Sequence, residues 1–258
     1  MNIMNFRNFI MGTAVFLGLI LAACSTSQDP TVENGTGRIS LGVTTSTAFS
    51  RAVTESDYSN VNNYTVQILD NEGEQVQEFQ YGEKPENITL KNGSYTLKAF
   101  YGTEHEASRN EFYVEGSTSF SVAGDEKQVT VDCYPTCGKV AVKFASNMDE
   151  SFSDYSVVYK TNALTAAGKT AVWAKGDSEP WYLKVDKAGE TVTATIQVTR
   201  VSDSKSATVE RTYTLAPGKS WTLNIAPADE NGGLGISITV DETTDDEEID
   251  IEVPSDWL

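Results

Sequence analysis

The sequence predicts an all-β protein built from two tandem antiparallel β-sandwich domains. Apolar and polar residues alternate with a period of two through most of the chain after Gly37, which places the apolar side chains on one face of each strand. Runs of about four to eight such residues are separated by Asn, Gly, Asp and Pro, the residues typical of turns. No long segment has the 3.6-residue period of an amphipathic helix.

The alternating runs define the strands in order. The first is RISLGV, with Ile39, Leu41 and Val43 on one face, and the second is YTVQIL. The runs NITL and SYTLKAFYG flank a turn at KNGS, and the runs TSFSV and KQVTVDC flank a turn at AGDE, so each pair predicts a hairpin. The ending GLGISITVDETTDDEEIDIEVPSDWL predicts a last hairpin with an acidic loop.

A weak internal repeat predicts the domain boundaries. GRISLGV from Gly37 resembles GKVAVKF from Gly138, and FSVAGDEKQVTVDC resembles YTLAPGKSWTLNIA. The matched segments lie about ninety to a hundred residues apart, the size of one small sandwich. Pro135 cannot continue a central strand. We therefore expect an N-terminal domain at residues 37–134 and a C-terminal domain, with the acidic hairpin, at 138–258.

The N-terminus carries an apolar run that ends at Cys24. This run is shorter than the roughly 20 residues of a membrane-spanning helix. Its basic start, apolar middle and small last residues are features of a secretory signal. LAAC also resembles a bacterial lipobox, in which the cysteine is lipidated. We expect a lipoprotein signal peptide at 1–23, a lipid anchor on Cys24 and a flexible tether at 24–36. The alternative is an ordinary signal peptide with an unmodified cysteine.

Composition excludes some classes of partner. The formal net charge of the 258 residues is −18 at pH 7. Such a chain repels nucleic acid phosphates and anionic membrane surfaces, so we expect it to bind neither. The same acidity is an ordinary means of keeping a surface protein soluble.

Cys133 and Cys137 frame the segment CYPTC. An oxidising compartment allows a disulfide, and the turn at Pro135 would bring the two residues together. The alternative is two reduced thiols at a hinge. The sequence leaves both open.

The sequence contains no enzyme signature. Its one histidine, His105, has no partners for a multi-histidine zinc site or a nucleophilic constellation. ALTAAGKT resembles a phosphate loop, but no helical pattern follows it. The spacing of the C-terminal carboxylates does not match a calcium loop. We expect no catalysis, no cofactor and no metal.

Two other segments carry hypotheses. Trp173, Trp181 and Tyr182 lie in a loop-rich region and could stack on sugars, or else pack in the core. The polar segment TSTAFSRAVTESDY offers a cleavage point between Arg51 and Ala52. A cut there would leave a sandwich without its first strand, and such an edge accepts a strand from a neighbour. The alternative is an uncut loop.

Several segments together resemble a known family. They are the lipobox, the start TGRISLGV…SRAV, the block NYTVQILDNEGEQVQEFQYGEKPENITLKNGSYTLKAFYG and the ending GISITVDETTDDEEIDIEVPSDWL. Together they resemble a Bacteroidetes lipoprotein family, domain of unknown function 4493. That family is similar to the fimbrillin-like adhesins, lipoprotein precursors with two transthyretin-like sandwiches. In those precursors a protease cuts after an arginine and subunits exchange strands. The position that corresponds here is Arg51.

The family resemblance and the predicted lipoprotein signal peptide together imply a function. We expect a non-enzymatic outer-membrane lipoprotein, on the cell surface or the periplasmic face, that acts as an adhesion or fimbria-like binding component. Its partners would be the membrane, through the lipid anchor, and other surface proteins or glycans. The alternative is a glycan-binding lipoprotein of a polysaccharide-uptake system that uses Trp173, Trp181 and Tyr182.

Overall fold

The computed structural model describes residues 35–46, 49, 56–230, 233–242 and 245–247. In residues 35–135, called the first half, the strands are β1 Thr36–Thr45, β2 Thr65–Leu69, β3 Gln75–Gln80, β4 Ile88–Lys91, β5 Gly93–Gly102, β6 Ala107–Ser108, β7 Tyr113–Val122 and β8 Glu126–Pro135. In residues 137–247, called the second half, they are β9 Cys137–Phe144, β10 Phe152–Lys160, β11 Ala171–Ala174, β12 Trp181–Lys184, β13 Glu190–Arg200, β14 Ser206–Leu215, β15 Ser220–Glu230, β16 Gly233–Glu242 and β17 Asp245–Glu247. The short helices are α1 Ser56–Ser59, α2 Met148–Ser151 and α3 Asn162–Ala166, with 3₁₀ turns at Val61–Asn63 and Tyr81–Glu83.

Strand β1 shows how alternation in the sequence produces a strand with one buried face. Ile39, Leu41 and Val43 are buried, whereas Arg38 and Ser40 on the opposite face are exposed. Burying one such aliphatic side chain stabilises the fold by about 1.5–3 kcal/mol. The same pattern recurs in most strands, and it confirms the all-β fold class that the sequence predicts.

The first half forms a seven-stranded sheet in the order β3-β2-β5-β7-β8-β1-β4. Strands β7 and β8 pair at Val114–Pro135 and Glu115–Tyr134, near the start of β7 and the end of β8. The strands on both sides of this short junction contribute to one hydrophobic cluster. The sheet therefore bends at the junction, and its two parts enclose the cluster between them.

Two strand pairs are parallel, which the antiparallel expectation missed. β1 pairs in parallel with β8, and β9 pairs in parallel with β15. Each pair joins the first strand of a half to a strand near its end. A hairpin creates an antiparallel pair because a short turn reverses the chain. Here, most of the residues of the half lie between the two partner strands in the sequence. The parallel pairs therefore follow from long-range packing.

The second half contains two sheets around a second hydrophobic cluster. One has the order β11-β10-β13-β14, and the other has the order β17-β16-β15-β9-β12-β6. Strand β6 comes from the first half, and its Ala107 and Ser108 pair with Leu183 and Tyr182. Tyr182 in turn belongs to the first hydrophobic cluster. Each half thus contributes to the structure of the other.

A short junction joins the halves. β8 ends at Pro135 and β9 begins at Cys137. Gly138 fits there because a side chain at this position would collide with Leu215. The division into domains at residues 37–134 and 138–258 stays a prediction.

Candidate functional site

Strand β1 is the first element near the predicted anchor and cleavage point, and it has a partner on both edges. Residues 38–45 pair in parallel with residues 126–133 of β8, and residues 36–39 pair with β4 in the antiparallel sense. Thr44 Oγ1 also donates a hydrogen bond to a carboxylate oxygen of Asp132. The ladder continues past the strand, since the Ser46 N–H donates to the Cys133 carbonyl oxygen at 3.1 Å.

Two linked hydroxyl groups, on the buried Tyr64 and the half-buried Thr45, hold the end of β1. Tyr64 Oη donates to the Tyr58 carbonyl oxygen at 2.7 Å and lies 2.8 Å from Thr45 Oγ1. Because the single Tyr64 hydroxyl proton points to Tyr58, Thr45 is the donor in the second bond. Burial raises the pKa of Tyr64 to about 12. The hydroxyl therefore stays neutral over the physiological range.

Phe49 fixes the segment that follows β1. It is 2% exposed, and its ring centre lies 5.2 Å from that of Phe112 and 5.6 Å from that of Tyr182. The Phe112 ring stacks on Tyr58 at 3.7 Å between ring centres. Because Tyr182 belongs to β12, the contact joins the segment after β1 to both halves. The sequence did not predict this role of Phe49.

Two predicted sites lie outside the described residues: the anchor Cys24 and the cleavage point at Arg51 and Ala52. Of the tether predicted at 24–36, the structure describes only residues 35 and 36. The lipidation and the cleavage therefore stay predictions.

The two remaining cysteines lie on consecutive strands and are both buried. The structure contains Cys133 and Cys137 as separate thiols. Burial raises the pKa of the Cys133 thiol to about 12, and the nearby carboxylates of Asp132 and Glu115 act in the same direction. A bridge between the two residues stays a prediction of the sequence.

The three aromatic residues proposed for glycan contact do not form an exposed platform, and this corrects that hypothesis. Trp173 is 1% exposed in the second cluster, and Tyr182 is 3% exposed in the first. Trp181 is half-buried, and its indole N–H donates to the Val172 carbonyl oxygen at 3.0 Å. The rings are buried because they fill the cores and their junction, which is the commonest use of large aromatic side chains.

Arg109 lies over both indole rings, so their faces are covered on that side. Its guanidinium carbon lies 4.2 Å from the ring centre of Trp181 and 5.2 Å from that of Trp173. It also forms an ion pair with Asp177 at 2.5 Å and donates to the Val172 carbonyl oxygen at 2.9 Å. This cluster therefore joins the first half to the second.

A row of side chains on the outer face of the first sheet forms a second candidate site. Gln80 of β3 and Phe100 of β5 stand on opposite sides of Thr65 of β2, in direct register. Gln80 Nε2 donates to Thr65 Oγ1 at 2.9 Å. Phe100 is half-buried, and its ring centre lies 6.0 Å from that of Tyr113. An amide, a hydroxyl and an aromatic ring thus lie side by side.

Two hollows meet at Gln80, at one end of this row. One has a volume of about 740 Å³ and the other about 470 Å³, and both are lined by Asn63, Gln80 and Tyr101. The two neighbouring hollows are together called the outer groove. Its further lining residues are Asp57, Tyr58, Asn62, Thr65, Gly82, Glu83, Phe100, Gly102, Thr103 and Glu111.

The walls of the outer groove are held by local structure. Asn60 caps the first 3₁₀ turn, since its Oδ1 accepts from the Asn62 N–H at 3.2 Å. The second turn approaches the first at Gly82, where a side chain would press on Asn62. At the other end Gly102 has a φ of +85°, and a side chain there would collide with the Phe112 backbone. These contacts fix the positions of the two turns and of the end of β5.

Sequence reasoning missed the outer groove. The available signal was Phe100, an aromatic residue at an outward position of an alternating strand, with Thr65 and Gln80 also outward. Their juxtaposition depends on the registers of β2 with β3 and β5, which the sequence does not specify.

Other sequence hypotheses concern metals and membranes. Among the described residues, no group of three or more His, Cys, Asp and Glu could hold a metal ion. His105 Nε2 lies 2.7 Å from a carboxylate oxygen of Glu111, and this bond lowers the pKa of Glu111. No helix in the described ranges has the length and apolar composition that a membrane span requires.

The fold defines a class, an all-β protein with its first strand placed between β4 and β8. The family profile described as domain of unknown function (DUF4493) matches residues 35–255, so the chain belongs to this family. This confirms the family that the sequence resembles. A search of curated proteins finds no match to the chain.

The chain is also similar to solved structures at low sequence identity. The fimbrial anchor protein Mfa2 from Porphyromonas gingivalis has 9% identity and a TM-score of 0.46, over 80% of this chain and 98% of that chain. A fimbrial assembly protein from Parabacteroides distasonis has 11% identity and a TM-score of 0.43, over 84% of this chain and 98% of that chain.

Proposed function

We propose that the protein is a lipid-anchored, non-enzymatic component of the bacterial outer membrane that acts in adhesion or as a fimbria-like subunit. The observation that carries this proposal is the position of β1. The strand closest to the predicted anchor contributes its whole apolar face to the first cluster and is paired on both edges.

A cut between Arg51 and Ala52 would separate β1 from the rest of the chain. Loss of the strand would expose the backbone of β4 and β8 and the apolar surface that Ile39, Leu41 and Val43 cover. An open edge of this kind binds an extended strand through backbone hydrogen bonds and side-chain pockets. In an uncut chain the same place is occupied, and the protein remains a closed subunit.

The predicted anchor lies close to β1 in the sequence. Cys24 stands twelve residues ahead of Thr36, with a polar tether between them. Several acyl chains on one cysteine would hold the chain stably at a membrane. Protease added to whole cells distinguishes the outer face from the periplasmic face.

The test is the intact mass and the N-terminal sequence of the protein from its native membrane. A chain that starts at acylated Cys24 supports an anchored subunit. A chain that starts at Ala52, in high-mass assemblies, supports strand exchange. A Cys24→Ala variant that still labels with fatty acid and stays with the membrane contradicts the anchor.

A further inference from the structure

We propose that the free edge of β14 pairs, in the antiparallel sense, with the same strand of a second copy of this chain. The contact would join the β11-β10-β13-β14 sheets of two copies into one continuous sheet. This inference goes beyond the function proposed above, because it needs neither the lipid anchor nor the cut after Arg51.

Strand β14 presents a long row of unused backbone groups. It lies at the end of its sheet, with β13 as its one neighbour in the described part of the chain. The Arg200 N–H donates to the Lys205 carbonyl oxygen at 2.9 Å, next to the last register pair of the two strands. Because hydrogen bonding alternates along an antiparallel pair, Lys205 and the odd-numbered residues of β14 bond to β13. The N–H and carbonyl groups that point away from β13 belong to Ser206, Thr208, Glu210, Thr212 and Thr214.

This edge lacks three features that commonly prevent strand edges from pairing, namely lysine, proline and a bulge. Strand β14 contains no lysine or proline, and its ten pairs with β13 run without a register shift. It has one charged residue on its inward face, Arg211. The Nη1 atom of Arg211 donates to the outward carbonyl oxygen of Glu210 at 3.0 Å. That oxygen has a second lone pair, so it can still accept a bond from a partner strand.

The charge of the hairpin formed by β13 and β14 favours a second copy as the occupant. Residues 190–215 contain three carboxylates and three bases, so this hairpin has no net charge in a chain of net charge −18. These residues are Glu190, Asp203, Glu210, Arg200, Lys205 and Arg211. Two copies therefore meet at this edge without the repulsion between like charges that an acidic surface would cause. A strongly basic or acidic partner strand gains no attraction there.

The other edge strands fit a second copy less well. Strands β4, β6, β11 and β17 have only two to four residues each. Strand β3 is longer, but its register with β2 shifts next to Ile68. The hairpin at residues 65–80 also carries four carboxylates and no Lys or Arg, so two copies would repel each other there. These carboxylates belong to Asp70, Glu72, Glu74 and Glu78.

The side chains of β14 select one register for the pair. Directly opposed side chains share a face, and like charges in such a pair are destabilising. A two-fold axis at Glu210 would bring two carboxylates together, and an axis at Arg211 would bring two guanidinium groups together. An axis at Val209 avoids both, and axes nearer the ends of β14 pair fewer residues. It places Thr208 opposite Glu210 of the second copy and Arg211 opposite the small Ala207. Val209 packs against the second hydrophobic cluster, so the pair would extend that cluster across the contact.

The first experiment is sedimentation equilibrium of the Cys24→Ala chain, which carries no lipid. Protein concentrations up to about 500 µM are needed, because one strand pair is a small and weak contact. We expect a monomer–dimer equilibrium. The dimer should become tighter when NaCl is raised from about 20 to about 300 mM, because salt screens the repulsion between two acidic chains.

Two substitutions of Thr208 test the register, because they place opposite charges against Glu210 of the second copy. Thr208→Glu should raise the dissociation constant at least about threefold, and Thr208→Lys should lower it by a similar factor. The matched controls are Ser119→Glu and Ser119→Lys, which make the same charge changes at an exposed position of β7. Both controls should leave the dissociation constant unchanged. Circular dichroism of each variant separates lost folding from lost association.

Cross-linking tests the position of the two-fold axis. In the Cys24→Ala chain, Val209→Cys should form a disulfide-linked dimer on oxidation, because the two Cα atoms would lie within the range of a bridge. Thr212→Cys is the matched control and should not cross-link, because its own copy lies several residues away along the paired strands. The Cys24→Ala chain without either substitution measures any contribution from Cys133 and Cys137.

Several outcomes would overturn the proposal. They are a monomer at every concentration, a dimer that weakens with salt, equal effects of Thr208→Glu and Thr208→Lys, or cross-linking at Thr212→Cys in place of Val209→Cys. Since these measurements use a chain without a lipid anchor, their failure leaves the proposed function in place. Failure of the anchor or of the cleavage likewise leaves the pairing of β14 in place.

Discussion

The guanidinium of Arg109 lies over the indole of Trp181, with 4.2 Å between the guanidinium carbon and the ring centre. Arg109 follows β6 in the first half, and Trp181 begins β12 in the second. A cation over an indole face is attracted by the ring quadrupole, and the ion pair with Asp177 adds to this. The same segment carries Glu106, which pairs with Lys169 at 3.0 Å. The segment between β5 and β7, which contains β6, thus contacts the second half through strand pairing, ion pairs and a ring contact.

Replacing Arg109 with alanine should therefore destabilise the fold. We expect the free energy of unfolding to fall by about 1–3 kcal/mol, because a charged hydrogen-bond donor and a ring contact are lost together. Urea denaturation at pH 7 measures the loss. Arg38→Ala, which removes an exposed arginine from β1, is the control and should change stability by less than about 0.5 kcal/mol. Equal effects of the two substitutions would contradict the role of Arg109.

Phe49→Ala should loosen β1. The ring fills a place between Phe112 and Tyr182, so its removal leaves a cavity that costs about 3–5 kcal/mol of stability. Guanidinium denaturation followed by fluorescence measures this change. Tyr134→Ala removes a ring that is 55% exposed and should cost much less. If the Phe49→Ala protein is as stable as the unmodified chain, the segment after β1 does not help to hold β1 in the sheet.

Tyr64 gives the fold a dependence on alkaline pH. Its pKa is raised from about 10 in the unfolded chain to about 12 in the fold. The unfolded state therefore loses its proton first, and the stabilisation that is present below pH 10 is lost as the pH rises toward 12. Stability measured between pH 8 and pH 11.5 should fall less steeply in Tyr64→Phe than in the unmodified chain.

The Tyr64→Phe variant has a matched control in Tyr134→Phe, because Tyr134 is exposed. Tyr134→Phe should change the stability at pH 7 by less than about 0.5 kcal/mol. Tyr64→Phe should also cost about 1–2 kcal/mol at pH 7, since it removes the hydroxyl bonded to Thr45 and Tyr58. Identical slopes for Tyr64→Phe and the unmodified chain would contradict the assignment of the hydroxyl.

The buried thiol of Cys133 should resist alkylation. With a pKa raised to about 12, it has very little thiolate at pH 8. In a Cys24→Ala chain, iodoacetamide should modify Cys133 slowly in the fold and both Cys133 and Cys137 rapidly in guanidinium. Mass spectrometry counts the labels. No label in guanidinium without reductant would instead show a Cys133–Cys137 bridge.

Local patterns predicted most of the strands because each strand has one buried face. The buried residues Ile39 and Leu41 are two residues apart, and so are Val66 and Ile68. This alternation can be seen in the sequence whichever strands pair with β1 and β2. The turn residues predicted where the chain reverses but not which strands pair. β4 and β5 flank the turn at KNGS, yet β4 pairs with β1 and β5 pairs with β2 and β7, so the hairpin predicted there is wrong. β7 and β8 flank the turn at AGDE but pair only at Val114–Pro135 and Glu115–Tyr134, far from that turn.

The site depended on contacts that no local pattern contains. Trp173 and Trp181 looked available for sugars because their segment is polar, but β11 and β12 carry them into the core and its edge. The sequence did not predict that Phe100 lies beside Thr65, because this depends on the register between β5 and β2. Which aromatic residue is covered depends on partner strands from distant parts of the sequence.

The pairing of β1 with β8 joins distant parts of the first half. Thr44 and Asp132 are 88 residues apart in the sequence. Contacts between such distant residues slow folding, because loop-closure entropy is lost before the contact stabilises the chain. The apolar face of β1 therefore stays partly uncovered until β8 is in place, and it is exposed to aggregation in the interval.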